Sequence, residues 1–269
     1  MQVFTSIYIK FQYLLLVCLS VVSLTACENE EIDMREGFPN TPIAMRVAQW
    51  NLFMFGIRDG RFGVADEKAE ATIVALREMI DKLNADVLFL NEYNGTIDQS
   101  GNYGTYKSLL SERYNYFVEG GFHMAIASRY PLSIEVVQLS NRRFLIGRMM
   151  FREGDIAIAC IHPESGSDEE IVKNRIEDHK KIVNILSEHG KGIVAGDFNS
   201  ITSDELDVFR SNDYQIGNYG EFGTFVTYPS TKRALDNIVV KGVLMKNYTV
   251  VNEQLMSDHY PSVAELDIL

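Results

Sequence analysis

Hydrophobic and polar positions change their period along the chain, and each change marks an element. Ile43 to Asn51 reads as a strand, and from Asp66 to Leu83 the residues Ile73, Leu76, Ile80 and Leu83 recur at helical spacing on one face. Short apolar runs at Asp86 to Leu90, Ala125 to Ser128, Ile134 to Leu139, Leu145 to Phe151 and Ile156 to Ile161 predict strands separated by turn residues. Ser167-Asp168-Glu169-Glu170 predicts a capping box opening a helix that carries Val172, Ile176, His179, Val183 and Leu186 and stops at Gly190. Gly192 to Gly196 reads as a buried strand, Thr202 with Glu205 as a second capping box, and Leu235 to Val240 and Tyr248 to Val251 as late strands. Several strands follow one another directly, so the sheet cannot be wholly parallel. Mixed sheets covered by helices are expected.

Phe11 to Leu24 has no such period: it is almost all apolar, with Gln12 as the main interruption. It falls short of the about 20 residues that a membrane-spanning helix needs. It ends in Leu24-Thr25-Ala26-Cys27, where small residues leave the backbone open to a peptidase. This resembles a bacterial lipoprotein signal, which implies cleavage before Cys27 and lipid on its sulfur. Residues 1–26 are then a signal peptide, 27–42 the lipidated cysteine and an acidic tether containing Glu28, Glu30, Glu31, Asp33 and Glu36, and 43–269 the folded domain. The same resemblance implies a cell-envelope location on the bacterial outer membrane, at its periplasmic or surface face, with Cys27 as the contact to the membrane.

Composition narrows the classes. With 46% hydrophobic residues over 269 positions, the chain can bury a sizeable core, which excludes a disordered tail. Lys and Arg number 25 against 37 Asp and Glu, a formal charge of -12, which disfavours a protein that wraps duplex nucleic acid. Of the three cysteines, Cys18 lies in the signal and Cys27 would carry the lipid. Cys160, in the apolar run Ile156 to Ile161, is left without a partner and reads as a small core residue.

The candidate chemistry sits at strand ends. Asn51 and Glu92 each close an apolar run, His162 follows Ile161, and Asp197 and Asn199 follow Gly196. Asp236 interrupts Ala234 to Val240, and Asp258 and His259 stand before Tyr260-Pro261. A set rich in Asp, Glu and Asn suits a hard, oxygen-seeking cation such as Mg²⁺ or Mn²⁺. Two histidines beside carboxylates add groups for proton transfer and for stabilising negative charge.

In order, these motifs are the Trp50-Asn51 strand end, Glu92, Ser128-Arg129-Tyr130-Pro131, His162, Gly196-Asp197-Phe198-Asn199, Leu235-Asp236-Asn237 and Ser257-Asp258-His259-Tyr260-Pro261. Across residues 44 to 266 they resemble the endonuclease/exonuclease/phosphatase superfamily. The resemblance implies an α/β fold, a four-layer αββα sandwich with two mixed β-sheets. It implies a divalent-metal-dependent hydrolase of phosphodiester or phosphomonoester bonds acting by in-line attack of water. Glu92 matches the main metal-ligating carboxylate, with Asn51 and Asp258 near the same ion. Asp197 matches the group that orients or deprotonates water, Asn199 and His162 contact phosphoryl oxygens, and Asp236 fixes and charges His259 on the phosphate.

Three departures, Phe53, Phe122 and His162, point away from abasic-site DNA repair. Arg142, Arg143 and Arg148 form either a local basic patch or a solvated strand edge. A phosphate-ester substrate is implied, whether a small molecule, a lipid headgroup or nucleic acid, and no obligate protein partner. The alternatives are an extracellular nuclease that scavenges nucleotides and a catalytically silent binding lipoprotein. His179 and His189, outside every motif, are assigned to packing or solvent, and His123 is left open.

Overall fold

A computed structural model of the chain describes residues 42–53, 66–93, 109–152, 154–225, 233–253 and 257–269. The expected signal peptide, Cys27 and all but the last residue of the tether lie outside the described residues. Pro42–Leu269 is one compact unit.

Its elements run β1 Ile43–Asn51, α1 Asp66–Leu83, β2 Val87–Asn91, β3 Tyr116–Gly120, β4 Met124–Ser128, β5 Leu132–Gln138, β6 Arg143–Met149 and β7 Ile156–Ile161. Then come α2 Glu169–Leu186, β8 Gly192–Ser200, a 3₁₀ turn Ser203–Leu206, α3 Asp207–Arg210, β9 Gln215–Ile216, β10 Ala234–Lys241, β11 Leu244–Val250 and β12 Ser262–Ile268. They form two six-stranded sheets in the orders β11-β12-β1-β2-β4-β3 and β5-β6-β7-β8-β10-β9. Only β1 with β2 and β7 with β8 pair in parallel, so both sheets are mixed, as expected.

Alternation along the strands builds the layers. Ala48, Trp50, Leu88 and Leu90 face α1, where Leu76, Met79, Ile80 and Leu83 cover them. Met45, Val47, Val87 and Phe89 face the second sheet and join one core with its residues. On β7, Cys160 lies against Leu90 and Asn91 of the first sheet, which leaves the small Ala157 and Ala159 on the side where α2 packs. The result is the αββα sandwich. Cys160 is fully buried and burial raises its thiol pKa, so it packs rather than reacts, as the sequence suggested.

Three strands were not marked by the pattern: β3, β9 and β12. β3 is an edge strand paired on one side with no fully buried residue, and β9 has only two residues. In β12 the apolar run is broken by Glu265 and Asp267, which meet Arg46 at 2.8 Å and Lys246 at 3.4 Å. The first expected capping box does not form. Asp168, not Ser167, precedes α2, and it makes no side-chain cap; Glu169 and Glu170 instead place negative charge at the positive end of the helix. The helix also stops at Leu186 rather than at Gly190, because the Ser187 backbone N–H and hydroxyl both donate to the Asn184 carbonyl, at 3.2 and 2.6 Å. The second box does form, with Glu205 accepting from the Thr202 N–H at 3.3 Å and the Ile201 N–H at 2.8 Å.

His179 is a packing residue. Its ring lies 5.6 Å from Phe198 and 5.2 Å from Phe209, with Nδ1 3.1 Å from the Glu205 carbonyl oxygen. Burial lowers its pKa from 6.5 to about 4. Below pH 6.5 the unfolded chain takes up a proton that the folded ring refuses until about pH 4, so stability falls as pH drops through that window. At about 1.4 kcal/mol per pH unit this amounts to roughly 3 kcal/mol. Denaturant titrations from pH 7 to 4 are expected to show a shallower decline for His179→Gln than for the parent. Parallel declines would contradict it.

Candidate active site

β1 ends at Asn51 level with Asn91 of β2, and β7 ends at Ile161 level with Gly196 of β8. Both parallel pairs finish at the same rim of the sandwich, because Asn91 bridges them. Its amide donates to the Ile161 carbonyl at 2.9 Å and its oxygen accepts the Asp197 N–H at 2.7 Å. Gly196 makes this close approach possible. Its φ is +142°, and a Cβ there would sit 2.2 Å from the Ile161 oxygen and 2.8 Å from Asn91 Oδ1. Asn91 is a site residue that the strand-end pattern does not single out. The available signal was a polar residue on the same face as Val87 and Phe89, between the sheets.

Asp197 is the hub. Its Oδ2 accepts from Asn51 Nδ2 at 3.0 Å and lies 3.8 Å from His162 Nε2 and 3.9 Å from His259 Nε2. Its Oδ1 accepts the Asn199 N–H at 2.8 Å. His162 Nε2 is also 3.8 Å from Glu92 Oε1. Glu92 and Asn199 both hold left-handed backbone, φ 47° and 51°, which costs non-glycine residues of order 1–3 kcal/mol and marks sites where the chain is bent for a purpose. Asn199 Nδ2 donates to the Pro163 carbonyl at 3.0 Å.

β10 places Asp236 opposite Asp197. Asp236 Oδ2 stands 2.7 Å from His259 Nδ1, and the ring of Phe225 packs edge-on against the imidazole at 5.1 Å. Three bonds fix the His259 backbone. Trp50 Nε1 donates to its carbonyl at 3.1 Å, its own N–H donates to Ser257 Oγ at 3.0 Å, and that hydroxyl donates to the Asn51 carbonyl at 2.5 Å. Ser257 is thus a brace, and so is Ser128, whose Oγ accepts the Tyr130 N–H at 2.9 Å. Asp258 Oδ1 lies 3.9 Å from His259 Nε2.

The electrostatics follow from burial among like charges. Burial opposes a charged imidazole at His259, yet the charge and hydrogen bond of Asp236, with Asp197 and Asp258 beyond, overcome it and lift the pKa to about 10. Both ring nitrogens then carry protons at neutral pH. Burial first, and the charge of Asp236 second, raise the pKa of Asp197. Burial raises Asp258 to about 6, with the charge of Glu92 adding to it.

All eight residues expected at the site, Asn51, Glu92, His162, Asp197, Asn199, Asp236, Asp258 and His259, converge on this rim. The donor set fits a divalent cation. Glu92, Asn51 and Asp258 offer oxygen ligands, and among the described residues the buried Asp258 Oδ1 accepts no hydrogen bond, whereas in the tight group of Asp197, Asp236 and His259, with ligand atoms within 4.8 Å of one another, the charged ring has no free lone pair. The three arginines do not make a joint patch. Arg142 lies 3.9 Å over the Phe122 ring, Arg148 pairs with Asp155 at 3.0 Å, and Arg143 and Arg148 point to opposite faces of β6. His123 packs its ring on Phe122 at 5.2 Å.

Beside His259 opens a pocket of ~560 Å³ lined by Ser165, Gly166, Ser167, Asn199, Ile201, Phe225, Arg233 and Leu235. Its wall from 164 to 167 hangs on Arg175. That fully buried side chain donates to the Glu164 and Gly166 carbonyls, both at 2.9 Å, and to Glu205 at 2.8 Å.

The sequence matches the model of the Endonuclease/Exonuclease/phosphatase family over residues 48–259. No curated protein matches it. The fold is similar to an endonuclease/exonuclease/phosphatase from Beutenbergia cavernae DSM 12333, at 17% identity and TM-score 0.66, over 84% of this chain and 72% of that one. It is similar to D. rerio TDP2 in complex with a single-strand DNA product, at 19% identity and TM-score 0.62, over 83% and 98%. Sphingomyelinase C from Streptomyces griseocarneus gives 16% identity and TM-score 0.61, over 83% and 99%. With four-fifths of its length inside the family model and the family's sandwich around its clustered acids and histidines, the chain belongs to the endonuclease/exonuclease/phosphatase family, whose members are generally phosphoester-hydrolysing enzymes that use divalent metals.

Proposed function

We propose that the protein is a divalent-metal-dependent phosphoesterase that cleaves a phosphodiester or phosphomonoester by in-line attack of water. The observation that carries this reading is Asp197, a buried carboxylate held by the Asn51 amide at 3.0 Å with two imidazoles 3.8 and 3.9 Å away. A silent binding module has no use for that convergence.

Glu92, Asn51 and Asp258 would hold Mg²⁺ or Mn²⁺, which would neutralise phosphate charge and assist the leaving oxygen. The chain's own groups do the rest. Asp197, its pKa raised by burial, is suited to take a proton from attacking water. His259, kept cationic by Asp236, offers a fixed N–H to the charge that builds on the phosphoryl oxygens. His162 and Asn199 supply further donors on the flanks. In the envelope reading, lipid on Cys27 carries the domain at the membrane. The apolar run Phe11 to Leu24 and the small residues before Cys27 support it. Loss of metabolic lipid labelling in Cys27→Ser would test it.

The test of activity is hydrolysis of bis(p-nitrophenyl) phosphate by the purified protein with Mg²⁺ or Mn²⁺. Turnover is expected to vanish with a chelator and to return on adding either ion. Turnover unchanged by chelation would overturn the metal-dependent reading, and none with either ion would turn the assay to monoesters.

A further inference from the structure

We propose that Arg233 selects substrates whose esterified group carries a second negative charge, a phosphate or carboxylate lying in the pocket beside His259. This rests on the phosphoesterase reading and deepens it.

The pocket, ~560 Å³, lies in the range of about 300–1,000 Å³ typical of small-molecule sites and is much larger than a phosphoryl group requires. Its lining is sorted by chemistry. Phe225, Ile201 and Leu235 give apolar surface, Ser165 and Ser167 give hydroxyls, and among the described residues Arg233 gives the one cationic side chain in the lining apart from His259. Arg233 is exposed, and among the described residues it meets no carboxylate. By contrast Arg46, Arg113, Arg129, Arg148 and Arg210 each pair with one.

Its place is defined by the backbone. Arg233 stands at the start of β10, where the pairing with β8 shifts register between Ala234 and Asp236. Such irregularities re-aim side chains at the edges of sites. The same short segment therefore carries Asp236, which charges His259, and Arg233 on the pocket lining. Elsewhere in the lining, the Arg175 strut holds the carbonyls of Glu164 and Gly166, so the 164–167 wall is held as well. A guanidinium can take a phosphate or carboxylate through two parallel N–H bonds, which gives orientation as well as attraction. It also offsets repulsion between an anionic substrate and the carboxylates of the site.

The test compares two chromogenic diesters with the same leaving group, thymidine 5′-(p-nitrophenyl phosphate) and the same ester bearing a 3′-phosphate. The purified parent, Arg233→Gln and Arg233→Lys are assayed with Mg²⁺ or Mn²⁺. Calorimetry in parallel measures binding of thymidine 3′,5′-bisphosphate and thymidine 5′-monophosphate. The parent is expected to favour the doubly phosphorylated ester in kcat/KM. Arg233→Gln should lose roughly 10- to 100-fold more on that ester than on the simple one, mainly through KM, and Arg233→Lys should recover part of the difference. Equal losses on both esters, or no preference in the parent, overturn the proposal. If neither these diesters nor p-nitrophenyl phosphate is turned over but the parent binds the bisphosphate more tightly and Arg233→Gln does not, the catalytic reading fails while the role of Arg233 stands. If binding also shows no difference, both fail.

Discussion

Asp197→Asn is expected to lower turnover of bis(p-nitrophenyl) phosphate by about a thousandfold and to leave the melting temperature little changed. A positioned general base contributes roughly 10² to 10⁴ in rate, and the amide keeps the shape of the carboxylate without its basicity. The stability half of the result follows from the same geometry. Burial and the facing Asp236 disfavour the charged form of Asp197, so a neutral replacement relieves repulsion in the folded state, which offsets the acceptor lost to Asn51 Nδ2 or to the Asn199 N–H. His259→Ala should cost comparable activity but behave differently in stability, because it leaves buried Asp236 without the ring that stands 2.7 Å away. Full activity in both variants would remove Asp197 and His259 from the mechanism. Lost activity together with lost structure in Asp197→Asn would make Asp197 a structural residue instead.

Arg175→Met is expected to destabilise the domain by about 3–5 kcal/mol in denaturant unfolding, because a buried carboxylate, Glu205, loses its partner. Arg175 and Glu205 do more than pair. The guanidinium also donates to two carbonyls of the 164–166 wall, and the carboxylate also accepts the N–H groups of Ile201 and Thr202. One buried ion pair therefore ties two parts of the pocket lining, residues 165–167 and Ile201, to α2. If the pair positions those walls, Arg175→Met should also raise KM in conditions where it is folded, and Arg175→Met/Glu205→Leu should regain only part of the stability, because the Ile201 and Thr202 N–H groups lose their acceptor, without regaining KM. A change below about 1 kcal/mol, the level of an exposed pair, would contradict the assignment.

Much of the architecture was legible because period reports burial. β1, α1 and β7 run between the residues the pattern marked, since each presents an unbroken apolar face or run to a neighbouring layer. The misses have the same physical origin. Glu265 and Asp267 hid β12 because a strand between two others can still send charged side chains to basic partners on neighbouring strands. The capping box expected at Ser167 fitted the spacing of a motif, but the chain enters α2 one residue later, and spacing alone carries no information about where the backbone turns.

The candidate site was legible as a set of residues and not as an arrangement. Sequence by itself determined the strand-end acids, amides and histidines, the acidic balance of the chain and its family, because all of these depend on residue identity and order. Only the tertiary structure decided that Asn91 and Gly196 lock the two sheets at the rim, that Asp197 stands 3.8 Å from His162 and 3.9 Å from His259, and that Arg175 holds the 164–166 segment of the pocket lining. Those depend on contacts between positions far apart in the chain, and short-range electrostatics and hydrogen bonds act only once folding has brought such groups within a few ångströms.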